Sequence, residues 1–251
     1  MNIQQMFEEL DELFNANDVR GAGACMNRWL MEARSQKDWQ SELTILNEQI
    51  GYYRKTGNRA EGLETVLRAF QIVAEHGLEN HAAGATTWLN GATALRAFGE
   101  YETSYFYFEK TMNLYKKLLE PQDYRFASLY NNMALLLSDM KRGKEAESLF
   151  LKSLEILENN PAMEAETANT YVSMAHMYHS VETDPEIRQE KVGEALRKAL
   201  GILRKNNPLP DSYFAYICET CAKSFRYFGM ESEESELKAM AENYYHRKGA
   251  E

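Results

Sequence analysis

Residues Ser128–Glu158 read SLYNNMALLLSDMKRGKEAESLFLKSLEILE. Tyr130, Ala134 and Leu137 stand four and three apart, and so do Ala146, Phe150 and Ser153. Spacings of three, four and seven place side chains on one stripe of an α-helix. The stretch therefore predicts two helices with one apolar stripe each, joined by a turn around Lys141–Gly143. Each stripe mixes large and small residues. The small ones let a neighbouring backbone come close, and the large ones fill the space beside it.

The same order recurs along the chain. Trp88, Ala92 and Leu95, then Ser104, Phe108 and Thr111, occupy the corresponding places about 42 residues earlier. Leu46, Ile50 and Tyr53, then Gly62, Val66 and Ala69, do so one period further back. Downstream, Tyr171, Ala175 and Tyr178 repeat the first half, and Val192, Leu196 and Ala199 the second. The spacing between those halves is five residues longer, which predicts a lengthened, solvated turn over Val181–Glu190. Cys218, Ala222, Phe225 and Gly229 open a last unit, while Leu10, Leu13, Ala22 and Met26 fit a degenerate first one. Gly57, Gly99 and Gly229 fall between the halves, where a left-handed backbone closes a tight helical turn.

A single helical hairpin cannot cover its own apolar face, so such units must stack. Six units of about 42 residues fill the 251-residue chain. The expectation is an all-α solenoid of about six hairpins and twelve helices, one domain over 1–251. Its approximate units are 1–37, 38–79, 80–121, 122–162, 163–209 and 210–251. Pro121, Pro161, Pro185, Pro208 and Pro210 all fall between the periodic stretches and are predicted to mark helix boundaries. Glu231, Glu233, Glu234 and Glu236, with Lys238 where inner units have Phe108 or Phe150, predict a last helix with one solvated face. The chain is expected to end where the array ends.

Composition narrows the function classes. Hydrophobic residues make up 44% and charged residues 26%, which suits a packed globular protein rather than a disordered one. The net charge is −10 and no run of four Lys/Arg occurs, so neither nucleic acid nor an anionic membrane is an expected partner. Three cysteines provide no disulfide framework. The opening MNIQQMFEELDEL lacks the basic start and apolar stretch of a secretory signal. No apolar stretch approaches the roughly 18 residues of a membrane span. A cytoplasmic protein is expected. No P-loop, dinucleotide fingerprint, nucleophile elbow or kinase signature is present, so the expectation is a non-catalytic protein without cofactor.

The recurrent pattern resembles the tetratricopeptide repeat. Ser128–Glu158 is similar to the 42-residue form found in kinesin light chains and many bacterial proteins. The segment ATTWLNGATALRAFGEYETSYFYFEKTM (Ala85–Met112) fits the general pattern, and the resemblance extends over about residues 38–248. Three departures are local: Lys141 stands at the usual turn glycine, the fifth turn is longer, and the proline closing the second helix is mostly missing. The resemblance implies a right-handed superhelix whose concave groove, lined by the first helix of each pair, binds a protein or linear peptide.

It also implies which positions face that groove. They lie one, two, five and eight places after the large residue of each first helix. Here they include Asn47 and Arg54, then Asn90, Thr93 and Arg96, then Asn131 and Asn132, and His176. The residue types suit a peptide. An amide both donates and accepts, so it can pair with an extended backbone whatever the side chains. Arginine offers a forked pair to a carboxylate. The full basic and amide clamp of chaperone-binding members is not reproduced. A helical receptor that changes curvature on binding a signalling peptide is the alternative binding function.

Three other features invite chemistry. Cys218-Glu219-Thr220-Cys221 has the spacing of a redox pair or half a zinc site, but a tetrahedral zinc needs about four ligands and no second pair exists. Both cysteines also occupy buried positions of the repeat, and small core residues are the preferred reading. His176 and His179 are neighbours on one helix face and would need a nearby carboxylate to hold a metal. Tyr101, Tyr105, Phe106, Tyr107 and Phe108 are unusually dense. Phe108 is core by register, and the others are read as core and rim packing or as a contact for a homodimer.

Overall fold

A computed structural model describes residues 1–16, 18–205 and 212–248. Twelve α-helices and two short 3₁₀ turns, with no strand among the described residues, make the protein all-α. The helices are α1 (Ile3–Asn15), α2 (Val19–Ser35), α3 (Trp39–Thr56), α4 (Arg59–Glu75), α5 (Ala82–Ala97) and α6 (Tyr101–Leu118). They continue as α7 (Tyr124–Asp139), α8 (Gly143–Leu157), α9 (Glu164–Val181), α10 (Pro185–Leu203), α11 (Ser212–Tyr227) and α12 (Glu231–Lys248). The expected six hairpins are therefore present.

The residues cluster into two compact units, Met1–Leu119 and the chain from Glu120 onward. In the first, α1 pairs with α2, α3 with α4, and α5 with α6; α3 also packs on α2 and α5. In the second, α7 pairs with α8, α9 with α10, and α11 with α12; α9 also packs on α7, α8 and α11. Each unit is a stack of three hairpins; the first helices α3 and α5 touch in one, and α7, α9 and α11 touch in turn in the other.

Local chemistry sets the helix ends. The Asp38 carboxylate accepts from the Ser41 N–H at 3.1 Å and caps α3, and Asp123 accepts from the Arg125 N–H at 3.0 Å at the start of α7. Gly57 (φ 72°) and Gly99 (φ 82°) take the left-handed conformation at the hairpin turns, and Lys141 adopts φ 63° at the same place. The turn after α9 corrects an expectation. Rather than a loop over Val181–Glu190, only residues 182–184 separate α9 from α10. Asp184 accepts from the N–H groups of Glu186 (2.9 Å) and Ile187 (3.2 Å), and Pro185 occupies the first turn. A capping aspartate followed by proline starts a helix as soon as the chain permits, so the extra residues lengthen α10. Pro121 and Pro161 also lie between helices. Pro208 and Pro210 fall outside the described residues.

The small residues of the repeat sit where backbones meet. Ala92, Ala134, Ala175 and Ala222 are fully buried, as are Ser104 and Ser153. The Ser104 hydroxyl donates to the Ala92 carbonyl at 2.7 Å and the Ser153 hydroxyl to the Ala127 carbonyl at 2.9 Å, so neither buried oxygen is left unpaired. Phe108, Phe150 and Leu196 fill the stripe beside them. Over the first-helix aromatics lies a recurring cation. The Lys110 Nζ is 4.2 Å from the Trp88 ring centre, Lys152 is 6.0 Å from Tyr130 and Lys198 is 5.4 Å from Tyr171. Each such contact contributes about 0.5–1 kcal/mol at a partly exposed site.

Candidate partner-binding faces

In the first unit the structure brings Asn47 and Asn90 together. The Asn90 amide donates to Asn47 Oδ1 at 2.9 Å. The Asn47 amide donates to the Leu43 carbonyl at 2.9 Å and to Thr87 Oγ1 at 3.1 Å. The buried Thr87 hydroxyl donates in turn to the Ala83 carbonyl at 2.9 Å. Asn47 thus spends its donors on its own helix and on α5, and its bonds with Thr87 and Asn90 join α3 to α5. Asn90 is only half-buried and keeps Oδ1 and one N–H without a partner among the described residues. Thr93 is buried and returns its hydroxyl to the Leu89 carbonyl at 2.8 Å. Arg54 is exposed near the end of α3, and Arg96 is half-buried near the end of α5.

In the second unit Asn132 donates to the Ser128 carbonyl at 2.9 Å, one turn back on α7. It is partly exposed and retains the remainder of its amide. Asn131 is half-buried, and its Oδ1 is shielded from solvent without a hydrogen-bond partner among the described residues. His176 lies 2.9 Å from Ser224 Oγ, within hydrogen-bond distance, and its ring is 4.9 Å from that of Phe228. It therefore links α9 to the α11 hairpin. Burial, with His179 nearby, lowers the His176 pKa. His179 is exposed and meets Tyr227 and Phe228 edge-on.

Cys218 and Cys221 are fully buried in α11, and burial pushes both thiols up to about 12. A thiol in that range is protonated at neutral pH and is a poor nucleophile. No group of three or more His, Cys, Asp or Glu side chains placed to hold a metal occurs among the described residues. No described helix is long and apolar enough to cross a membrane. In the aromatic cluster of α6, Phe108 is core and Tyr107 packs on Phe70 with ring centres 4.0 Å apart, whereas Phe106 is 56% exposed.

Residues 126–159 match the family model described as the tetratricopeptide repeat. No curated protein matches the chain by sequence. Among solved structures, the fold is similar to BtubC (BKLC) from P. vanneervenii, with TM-score 0.66 and 21% identity over 83% of this chain and 84% of that one. It is also similar to a putative kinesin light chain with tetratricopeptide-like repeats from Podosopora anserina, with TM-score 0.54 and 17% identity over 82% of this chain and 96% of that one. The chain carries a tetratricopeptide repeat at residues 126–159 and, around it, the all-helical hairpin fold of tetratricopeptide proteins.

Proposed function

We propose that the chain is a non-catalytic scaffold that binds a protein through a linear peptide laid along the first helices of its hairpins. The observation that carries this reading is the anchored amide of Asn90. One N–H is held by Asn47, which fixes the plane of the group, while a carbonyl oxygen and an N–H have no partner among the described residues. Asn132 is anchored in the same manner on its own helix. A fixed donor–acceptor pair loses little freedom when it meets an extended backbone, so more of its bond energy survives as affinity. Each neutral hydrogen bond nets about 0.5–1.5 kcal/mol, and a micromolar complex needs about 8 kcal/mol. Arg54, Arg96, Asn131 and His176 complete the proposed contact set, with Asn47 and Thr93 supporting it from the helix contacts they already make. The three unpaired, buried cysteines suit a reducing, cytoplasmic setting.

The test begins with peptides selected from a random library on the full chain. Asn90→Ala combined with Asn132→Ala is expected to weaken the best binder at least tenfold, the loss of two or more bonds, while the melting temperature barely moves. Unchanged affinity would overturn the reading. A second copy of the chain is a further candidate partner, favoured by the exposed Phe106 and Tyr101 on α6. Light scattering of the native protein decides it.

A further inference from the structure

One position in the first unit breaks the pattern of the repeat. Four residues before the large residue of the first helix, other units carry Gly84, Phe126, Thr167 and Phe214, all buried. In α3 that place holds Glu42, which is 5% exposed. The Arg34 Nε donates to its carboxylate at 3.0 Å from the end of α2. Arg68, on α4, donates through Nε at 3.0 Å and Nη2 at 3.2 Å. A carboxylate removed from water needs such partners. Here the consequence runs outward, because two guanidinium groups are pinned side by side at the surface.

A cavity of about 630 Å³ opens on this cluster, lined by Arg34, Lys37, Trp39, Glu42, Arg68 and His76. The Trp39 and His76 rings stack with centres 4.1 Å apart and planes 13° from parallel, forming a flat wall. Arg68 also reaches Glu75 at 3.3 Å. The two Nη groups of Arg34 and the ammonium of Lys37 have no acceptor among the described residues. Three cations therefore face two carboxylates, in a chain whose net charge is −10. The surplus positive charge, the open donors and the aromatic wall converge on one cavity.

We infer that this cavity is a binding site for an oxyanion on a flat or apolar stem, presented by a partner polypeptide as a phosphorylated or acidic side chain. The oxyanion pairs with the outer edge of Arg34 and with Lys37, as guanidinium and ammonium groups do with phosphate and carboxylate. The stem lies against Trp39 and His76. Glu42 acts as a positioning residue that fixes the two arginines and does not touch the ligand. The site uses a different side of α3 from Asn47 and stands or falls separately from the peptide-binding faces.

The test titrates the full chain with phenyl phosphate, phenylacetate and inorganic phosphate, following the indole N–H resonances of its three tryptophans. A saturable shift confined to Trp39 is expected, with phenyl phosphate binding more tightly than inorganic phosphate. Lys37 has φ 55°, a conformation glycine adopts without strain. Lys37→Gly therefore removes the ammonium while sparing the fold, and is expected to weaken phenyl phosphate about tenfold, one charge-assisted bond. Arg34→Gln is expected to do the same. No saturable Trp39 shift with any probe, equal affinity for inorganic phosphate, or unchanged affinity in Lys37→Gly would overturn the assignment.

Discussion

Glu42 holds its charge against its surroundings. Burial raises its pKa, but the hydrogen bonds and charges of Arg68 and Arg34 more than offset that and leave it below the ordinary 4.5. A folded-state value below the unfolded one means stability that is full above about pH 4.5 and lost as pH falls through the folded value. Glu42→Gln is expected to cost about 1–2 kcal/mol at pH 7, a moderate figure because Arg34 and Arg68 remain partly in water. That cost should shrink on acidification. Urea unfolding at pH 7 and pH 4 checks it, and a loss of the same size at both values would remove the ion cluster from the stability of α3. At this scale the sequence is unevenly legible. Asn47 and Asn90 were recognisable as recurring amides, but their bond to each other was not, because register within one helix says nothing of the lateral offset between two. Glu42 was missed, although an acid at a core position of the repeat was a visible signal.

The helices themselves were legible because two periodicities agree. The three-and-four spacing marks the stripe, and a left-handed residue recurs at Gly57, Gly99 and Lys141. The α9–α10 connection departs from the expected loop because Asp184-Pro185 is a helix-start signal that carries the extra residues into α10. The turns also support a prediction. A side chain at Gly57 or Gly99 meets nothing within 4 Å, so Gly99→Ala bears only the backbone strain of φ 82°, about 1 kcal/mol. Lys141→Gly reverses the situation and is expected to leave stability unchanged or raised by up to about 0.5 kcal/mol, strain relief being partly offset by glycine's entropy. Thermal melts of the two variants should move in opposite directions or differ by about 1 kcal/mol. Equal losses would indicate that the turn conformation is not decisive.

For the molecule as a whole, fold class was the most legible property. Six hairpins of one period leave almost no residues for any other architecture, and the described residues contain helices and no strand accordingly. Function was less legible, since an array of hairpins carries many possible faces and the repeat marks only those that stack. The division into two compact units was not visible either, because the period passes through residue 120 without a change in pattern. One feature allows the units to be followed individually. Every thiol lies inside a hairpin, Cys25 in α2 of the first unit and Cys218 with Cys221 in α11 of the second. Maleimide can alkylate them only when the surrounding helices open, so the native chain holds a separate clock for each unit. In a quasi-one-dimensional stack, opening is governed by neighbouring contacts. Substituting Ala222 by Leu should therefore speed labelling of Cys218 and Cys221 and leave the rate at Cys25 as it was, whereas equal acceleration at all three would reveal that the chain opens as a single body.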